Sequence, residues 1–498
     1  MKKKVRRIEE ILASSATLWP GNIAVEQGDE SINYKDLNHK AGLLADYLNK
    51  NLPSKNPRIG LLLPKSIATV ISIFGVLKSG GAYVPLDFEA PAKRNSYIAK
   101  NCKLDAIITL KKTDYQGFTE NFIKHEINDP RIIIYLIDKT ESGRNEMVFP
   151  ELAYILNTSG STGHPKAVLF NDQNAISFIE WCNNTFEADQ NSVFSSHAPF
   201  HFDLSILDLF FSVSNGAKLI LIDSKTAKNP RALTHLIAEK KITHWYSTPT
   251  ILKLILNYGK PERYDYSSLK YVLFAGEVFP IEPLRKLTEL WPDKIFYNLY
   301  GPSETNVCTY FKIPLPIESD QTHPFPIGKV CEHLDAYLLL NQNKSNELCI
   351  SGPSVCLGYL NEDQKAEHSF FEKNGKRWYK TGDIVTIDKE NNFFFMGRAD
   401  RMIKKNGFRI ELDEVENCFH NHPEISDAAV LSLTKEQGEV TIKAFLQKKE
   451  NSSVSSDVMR NYCLEILPEY MLPDRIQFLG NIPKTSTDKT DYQKLTKE

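Results

Sequence analysis

Thr158-Ser159-Gly160-Ser161-Thr162-Gly163-His164-Pro165-Lys166 is a run of nine residues in which two glycines are interleaved with hydroxyls and closed by an ammonium. Glycine permits left-handed backbone, so successive N–H groups can converge on an anion while the polar side chains surround it. The run reads as a cradle for a polyphosphate. It is not the Walker pattern, because Gly160 and Gly163 are separated by two residues and Lys166 is followed by Ala167 rather than Ser or Thr. The flanks 154–156 (Tyr-Ile-Leu) and 167–170 (Ala-Val-Leu-Phe) are short apolar stretches, so the loop is expected to join strand to strand. The same composition also serves ordinary solvent turns, and the reading therefore depends on the rest of the chain.

Working outward, alternating apolar segments predict an α/β architecture. Strands are expected at 59–63, 82–84, 217–222 and 269–274, with helices at 67–77 and 230–240 between them. In such sheets ligands collect where strands end, which is where Gly276, Tyr300 and the loop of 158–166 fall. From about Val330 the pattern changes to short alternating strands, among them 348–350 and 393–395. A boundary is expected at the charged stretch Gly397-Arg398-Ala399-Asp400-Arg401, followed by a small α+β unit with a helix at 414–421 and a strand at 427–431.

A chain of 498 residues exceeds the size at which one core keeps growing, so two or more domains are expected. Its 60 basic and 62 acidic residues leave a net charge of -2, which gives no reason to expect nucleic acid or an anionic membrane as partner. Eight cysteines form no C-x-x-C pair and no zinc spacing, so they read as reduced, mostly buried thiols. Lys2-Lys3-Lys4-Val5-Arg6-Arg7 is followed by Glu9 and Glu10 rather than an apolar run, so it reads as the entry to a short amphipathic helix carrying Ile8, Ile11 and Leu12, not as a signal peptide. No segment approaches the roughly 20 apolar residues of a membrane span. The composition predicts a soluble cytoplasmic protein.

Further clusters accompany the loop. They are Leu77-Lys78-Ser79-Gly80-Gly81-Ala82-Tyr83-Val84-Pro85-Leu86-Asp87, Asn298-Leu299-Tyr300-Gly301-Pro302-Ser303-Glu304-Thr305, Tyr379-Lys380-Thr381-Gly382-Asp383 and Leu467-Pro468-Glu469-Tyr470-Met471-Leu472-Pro473. In this order they resemble the adenylate-forming superfamily, which includes acyl- and aryl-CoA ligases, luciferases and the amino-acid-activating domains of nonribosomal peptide synthesis. The resemblance spans residues 32–489. It implies a large N-terminal domain of αβ sheets with a small β-rich subdomain (1–397), a hinge (398–400) and a small mobile α+β lid (401–498). It also implies the reaction: a carboxylic acid and ATP give an acyl-adenylate and pyrophosphate, and the acyl group then passes to a thiol.

Under that resemblance each cluster has a role suited to its chemistry. Thr158, Ser159, Gly160, Ser161, Thr162, Gly163 and Lys166 would hold the phosphates of ATP, with Gly276, Glu277, Asn298, Tyr300, Gly301 and Ser303 around the nucleoside. Asn298 suits the adenine edge and Tyr300 its face. Asp383, acceptor-only when ionised, suits two ribose hydroxyls, and Arg398 the ribose or phosphate. Glu304 is the expected Mg2+ ligand, since magnesium takes one or two carboxylates plus phosphate oxygens. Lys489 would be the catalytic lysine, its ammonium opposing the charge that grows on the α-phosphate oxygens. The family usually has Gly before this lysine; here it is Asp488. Asp400 matches the hinge position, and Gly407 would line the tunnel for the incoming thiol.

Pro199-Phe200-His201-Phe202-Asp203-Leu204-Ser205 resembles the family motif in which an aspartate binds the α-ammonium of an amino acid. The pocket carried over from the family consists of Phe202, Asp203, Leu204, Leu207, Tyr246, Leu273, Ala275, Leu299, Val307 and Cys308. Apart from its charged ends, Asp203 and Lys489, it offers no second charge, so charged side chains have no partner. This set resembles that of free-standing proline-activating ligases that load a carrier protein. D-alanine ligation to a carrier is the second reading, although those enzymes usually have Cys where this chain has Ala275. A non-catalytic scaffold of the same fold is opposed by the joint presence of Lys489, Glu304, Asp383 and Asp203. The chain contains no L-G-x-[DH]-S carrier motif, so the expected acceptor is the phosphopantetheine of a separate carrier protein.

Overall fold

The computed structural model describes residues 5–52, 54–111, 122–126, 132–137, 151–160, 164–340, 345–361, 369–434, 440–484 and 490–496. Its first sheet has parallel strands at its centre, Arg58–Leu62 pairing with Ala82–Pro85 and Ala106–Leu110. The helix Ile67–Lys78 connects the first two. Ser66 caps it by accepting the Thr69 N–H, and eleven of its residues are buried because it is covered on all sides. On one side of this sheet the strands Tyr154–Thr158 and Lys166–Phe170 form an antiparallel hairpin, so the sequence 158–166 does join strand to strand.

The second sheet holds Val193–Ser196, His244–Ser247, Tyr271–Ala275 and Ile295–Tyr300 as parallel neighbours, with Thr309–Lys312 antiparallel beyond them. Pro230–Glu239 is one of its crossover helices. Asn229 caps it by accepting the Arg231 and Ala232 N–H groups, and Pro230 supplies a first-turn residue with no N–H to satisfy. The carboxyl ends of Tyr271–Ala275, Ile295–Tyr300 and Tyr154–Thr158 all open on one cleft. Gly276 and the start of the 158–166 loop therefore do fall where strands end.

A third, antiparallel sheet contains Asp335–Leu340, Asn346–Ser351, Phe370–Lys373, Lys376–Ile387 and Phe393–Arg398. It is the short-strand region expected after Val330. Beyond Arg398 the chain makes a hairpin, Met402–Lys405 with Phe408–Glu411, and then a separate three-stranded sheet of Ile425–Thr434, Val440–Lys448 and Arg475–Leu479. That sheet and the helices Leu412–His420 and Ser456–Leu464 enclose an apolar core of their own, centred on Val415, Phe419, Val430, Ala444 and Met459. The α/β class with a distinct C-terminal unit is therefore the observed architecture.

Local expectations hold with shifts of one to three residues at element ends. The first helix is Glu10–Leu18, so Ile8, expected on it, precedes it and is buried there; two of the shifts are also informative. The strand expected at 427–431 runs from Ile425 to Thr434, because its ends continue to pair with the neighbouring strand, Ile425 with Lys448 and Thr434 with Val440. The helix expected at 414–421 begins at Leu412, where Glu411 keeps extended backbone. All eight cysteines are free and buried, as the composition implied. No described helix is long and apolar enough to cross a membrane.

Candidate active site

The cleft is bounded by Thr158, Ser159, Gly301, Pro302 and Ser303 from the large sheets and by Met402, Lys404, Gly407 and Arg409 from the hairpin of the small unit. Ser161, Thr162, Gly163 and Lys489 lie outside the described residues.

Gly160 differs from expectation in its conformation. It is absent from the positive-φ glycines, and glycine is required for another reason: a Cβ there would collide with the His164 carbonyl oxygen. The loop is closed on itself by that approach. Lys166, at the start of the returning strand, holds its ammonium 5.8 Å from the centre of the Tyr359 ring. Gly301 is equally constrained, since a Cβ would overlap the Asn306 carbonyl oxygen.

Tyr300 donates its hydroxyl to Asp383 Oδ2, and Arg398 Nη1 reaches Asp383 Oδ1 at 2.6 Å. Burial pushes the Tyr300 phenol far above its usual range, so it stays a donor. Asp383 and Arg398 face each other across an antiparallel strand pair, which fixes their contact. Arg398 also grips Asp400 with two bonds of 2.8 and 2.6 Å, so the expected hinge residue is held by an expected nucleotide residue. Two members of the expected set point elsewhere. Asn298 donates its amide to the Pro326 carbonyl at 2.9 Å. Glu277 accepts from the Thr250 N–H and hydroxyl with one oxygen and from the Gly407 N–H, at 2.8 Å, with the other, so it anchors a helix start and the hairpin tip. Gly276, with φ +93°, faces that tip: a Cβ on it would be 4.0 Å from the Gly407 Cα.

Glu304 is fully buried. Tyr359 donates to its Oε1 at 2.7 Å and Arg409 Nη1 to its Oε2 at 2.8 Å. Burial opposes ionisation, but the Arg409 guanidinium and the Tyr359 hydroxyl outweigh it and hold the carboxyl below its usual range. No cluster of three or more acidic, histidine or cysteine ligands occurs among the described residues. A single ionised carboxylate beside a phosphate cradle fits magnesium, which completes its octahedron with water and phosphate oxygens, and would not fit a metal that needs an all-protein cage.

Asp203 sits at the first turn of a short helical segment without capping it, so its carboxylate is free to face the cleft. Ser303 lines the same cleft as this carboxylate, so the expected amino-acid and nucleotide residues meet there. Burial nevertheless raises its pKa above the ordinary carboxylate value, with Ser303 and the Lys404 ammonium opposing the rise. Behind it, Leu207, Tyr246, Leu273, Ala275, Leu299, Val307 and Cys308 are all buried and belong to one apolar cluster. Phe202 lies over the entrance against Phe408, ring centres 4.8 Å apart, and Leu204 lines the wall. Leu207 opens a turn of π-helix, Leu207–Phe211, a distortion frequent at functional sites.

One charge, Lys404, contradicts the expectation of a pocket without a second charged group, and a second titratable group, Asp208, is buried outside the cleft lining. Lys404 projects into the cleft, 5.6 Å from the Tyr300 ring centre, and interacts with Asp383 and Asp203; burial lowers its pKa. Asp208, next to Leu207, is buried behind Tyr246, with Lys65 as its electrostatic partner. Sequence reasoning missed both. Lys404 stands in a charged stretch that reads as solvated surface, and Asp208 lies inside an apolar run.

Comparison with known proteins accords with this geometry. The model of the AMP-binding enzyme family matches residues 12–360, and that of the AMP-binding enzyme C-terminal domain matches 414–489. The chain belongs to the AMP-binding enzyme family. It is thereby a member of the adenylate-forming superfamily. It is 30% identical over 507 residues to an L-proline--[L-prolyl-carrier protein] ligase of Pseudomonas fluorescens, covering 99% of this chain and 99% of that one. It is also 29% identical to Gramicidin S synthase 2 of Aneurinibacillus migulanus, of whose length it spans 11%. Among solved structures, the Vibrio cholerae adenylation domain AlmE, in complex with glycyl-adenosine-5'-phosphate, aligns with a TM-score of 0.78 at 21% identity, covering 100% of this chain and 98% of that one. IdnL1 aligns with a TM-score of 0.83 at 23% identity, covering 97% of this chain and 100% of that one.

The raised pKa of Asp203 carries a testable sign. Its ionised form is disfavoured by folding, so the strain is absent below the ordinary carboxylate pKa and present above the raised one. Asp203→Asn is therefore expected to raise the melting temperature at pH 7 while weakening amino-acid binding by about 100-fold or more, the scale of a lost buried ion pair. Differential scanning fluorimetry with calorimetric titration of the amino acid checks both; a melting temperature that falls would contradict the reading.

Proposed function

We propose that the chain activates a small apolar amino acid with ATP, forming the aminoacyl-adenylate and pyrophosphate. It then transfers the aminoacyl group to the phosphopantetheine thiol of a separate carrier protein. The observation that carries this reading is that one cleft is lined by both sets of residues. An ammonium-seeking carboxylate, Asp203, backed by an apolar chamber, lines the same cleft as Gly301, Ser303 and the Asp383–Arg398 pair. A substrate whose ammonium meets Asp203 would present its carboxylate toward the nucleotide side, which is where attack on the α-phosphorus must occur.

L-proline is the preferred substrate on this reading. The chamber is small and apolar with one phenol, and a relative similar over its whole length is named for L-proline. D-alanine is the second reading. Ala275, buried at the chamber wall, supports the first because it leaves room for a ring. Apolar pockets distinguish one methylene by only about 10–200-fold, so direct comparison is needed. Amino-acid-dependent pyrophosphate exchange is expected to be fastest with L-proline and at least about tenfold slower with D-alanine and L-alanine. No exchange with L-proline would overturn the substrate, and none with any amino acid would favour a scaffold.

Two poses of the small unit are required. For adenylation, Lys489 must reach the α-phosphate. In the pose observed, the described neighbours of that loop remain within the small unit, Lys484 pairing with Asp427 at 2.6 Å. The hairpin bearing Gly407 faces Gly276 and Thr248 instead, which suits the thiol-accepting step. Glu304 would hold Mg2+ with the ATP phosphates, the ion drawing charge from the departing pyrophosphate. The Asp400–Arg398 contact is the hinge that changes between poses.

Lys489→Ala is expected to lower exchange by about 100-fold or more while sparing thioester formation from supplied aminoacyl-adenylate; Asp400→Pro should do the reverse. Quenched-flow measurement of each half-reaction separates them, and equal losses in both would reject the two-pose assignment. Gly407→Ala would drive a Cβ into Thr248 Cγ2 at a φ of +83°. It should slow only the thioester step, by about tenfold or more, with partial rescue by Thr248→Ser. A thioester rate equal to that of the unmodified chain would remove Gly407 from the tunnel.

A further inference from the structure

Two residues of the small unit lie on the phosphate and metal positions of the large one, with the charges such ligands would have. Glu414 places its carboxylate between two donors: Oε2 accepts the Gly160 N–H at 3.1 Å, and Oε1 pairs with Arg94 Nη1 at 2.6 Å. Both side chains of that pair are buried, 9% and 1% exposed. Ser159, beside Gly160, donates its hydroxyl to the Arg409 carbonyl at 2.8 Å and accepts the Glu411 N–H at 3.2 Å. Arg409 in turn puts its guanidinium on Glu304, the one carboxylate proposed to hold magnesium. A single short stretch, 409–414, thus brings an anion to the phosphate loop and a cation to the metal ligand.

Resting on the ligase reading above, we propose that Glu414 and Arg409 are intramolecular stand-ins for pyrophosphate and its metal ion, and that Arg94 is a phosphate-binding residue of the large domain that exchanges a phosphate for Glu414. The Gly160 N–H has one hydrogen to donate, so it serves either the carboxylate or a phosphate oxygen. Arg94 and Gly160 N–H, bridged here by one carboxylate, form a two-donor site that a phosphate oxygen pair would fit in the same way. Arg409 and a divalent cation cannot share Glu304, because like charges repel strongly in a buried setting. The thiol-accepting pose and bound magnesium pyrophosphate therefore exclude each other. The departure of pyrophosphate leaves Arg94 and Glu304 without their principal counter-charges, and docking of the small unit supplies both. Arg94, Glu414 and Arg409 act on the thioester step as positioning residues.

The pose can be read without turnover. Lys93 and Glu465 lie across the interface at 3.3 Å and are both exposed, and all native cysteines are buried, so spin labels on Lys93→Cys and Glu465→Cys report docking by pulsed electron resonance. Titrating the full chain with magnesium pyrophosphate should abolish the short-distance population. Sodium sulfate at equal ionic strength should leave it in place. In Glu414→Gln, which keeps the shape but loses the charge that Arg94 needs, the midpoint should fall about tenfold, and in Arg94→Gln calorimetric affinity for magnesium pyrophosphate should fall about tenfold. Persistence of the short distance at saturating pyrophosphate, displacement by sulfate at the same concentration, or an unchanged affinity in Arg94→Gln each overturns the proposal. Arg94 lies in the large domain and its variant is read by binding alone, so failure of Glu414→Gln to fold leaves a decisive arm. A chain that catalyses amino-acid-dependent exchange yet fails these tests loses only this inference; one that fails exchange loses the ligase reading instead.

Discussion

The cleft holds three desolvated carboxylates, and the structure depends on how they are neutralised. Asp383 pairs with Arg398 and Glu304 with Arg409, while Lys404 opposes the burial penalty on Asp203 without forming an ion pair with it, so all three cations come from residues 398–409. An uncompensated buried charge costs about 3–5 kcal/mol, comparable to a large fraction of a domain's net stability. The stretch cannot leave the cleft unless other charges take its place. Arg398 is fixed by its strand pairing with Asp383, whereas Lys404 and Arg409 belong to the small unit's hairpin and would move with it on the proposed two-pose reading. Ligand charge and domain position are therefore two descriptions of one electrostatic balance.

The proposed hinge follows from the same balance. Asp400 is the last acidic group before the hairpin and spends both oxygens on Arg398, while the Met402 N–H, 3.2 Å from Oδ1, starts the next strand from it. The hairpin's direction is thus set by the residue that holds Arg398. A Cβ at Gly382 would lie 2.7 Å from Arg398 Nη2, so the close packing of this corner needs glycine there, with φ +73°.

Much of this was legible in the chain because it rests on local rules. The alternation of apolar segments marked the strands whose ends build the cleft, and residues 158–166 were recognisable as a strand-to-strand loop from composition and flanks. Leu207, Tyr246, Leu273 and Ala275, far apart in the chain, stand together in one buried cluster. What stayed hidden depends on contacts between distant segments. The reason for glycine at 160 is the carbonyl of His164, a packing fact no φ preference encodes. Lys404 and Arg409 sit in a polar stretch whose ordinary fate is solvation, and only docking buries them. Glu277, expected at the nucleotide from its motif, holds its carboxylate on Thr250 and Gly407 in this pose, a long-range contact that the motif does not encode. Asp208 and Lys65 were unreadable for the converse reason: each lies near apolar residues that suggest core, and burial disfavours the charged form of both.

On the proposed reading, the two ends of the amino-acid pocket select with different strength. Rejecting an acid without an amine rests on Asp203, whose carboxylate stays short of a close cationic partner unless an ammonium arrives, a penalty of about 3–5 kcal/mol. Choosing among side chains rests on apolar walls, where one methylene is worth about 1–3 kcal/mol. Such a pocket is strict about being given an amino acid and more permissive about which small one. Tyr246 is the exception along the wall, since its phenol interacts electrostatically with both Asp203 and Asp208 and burial keeps it protonated. Side-chain choice then depends on volume at Ala275 and Val307, two small buried positions that also line the cleft.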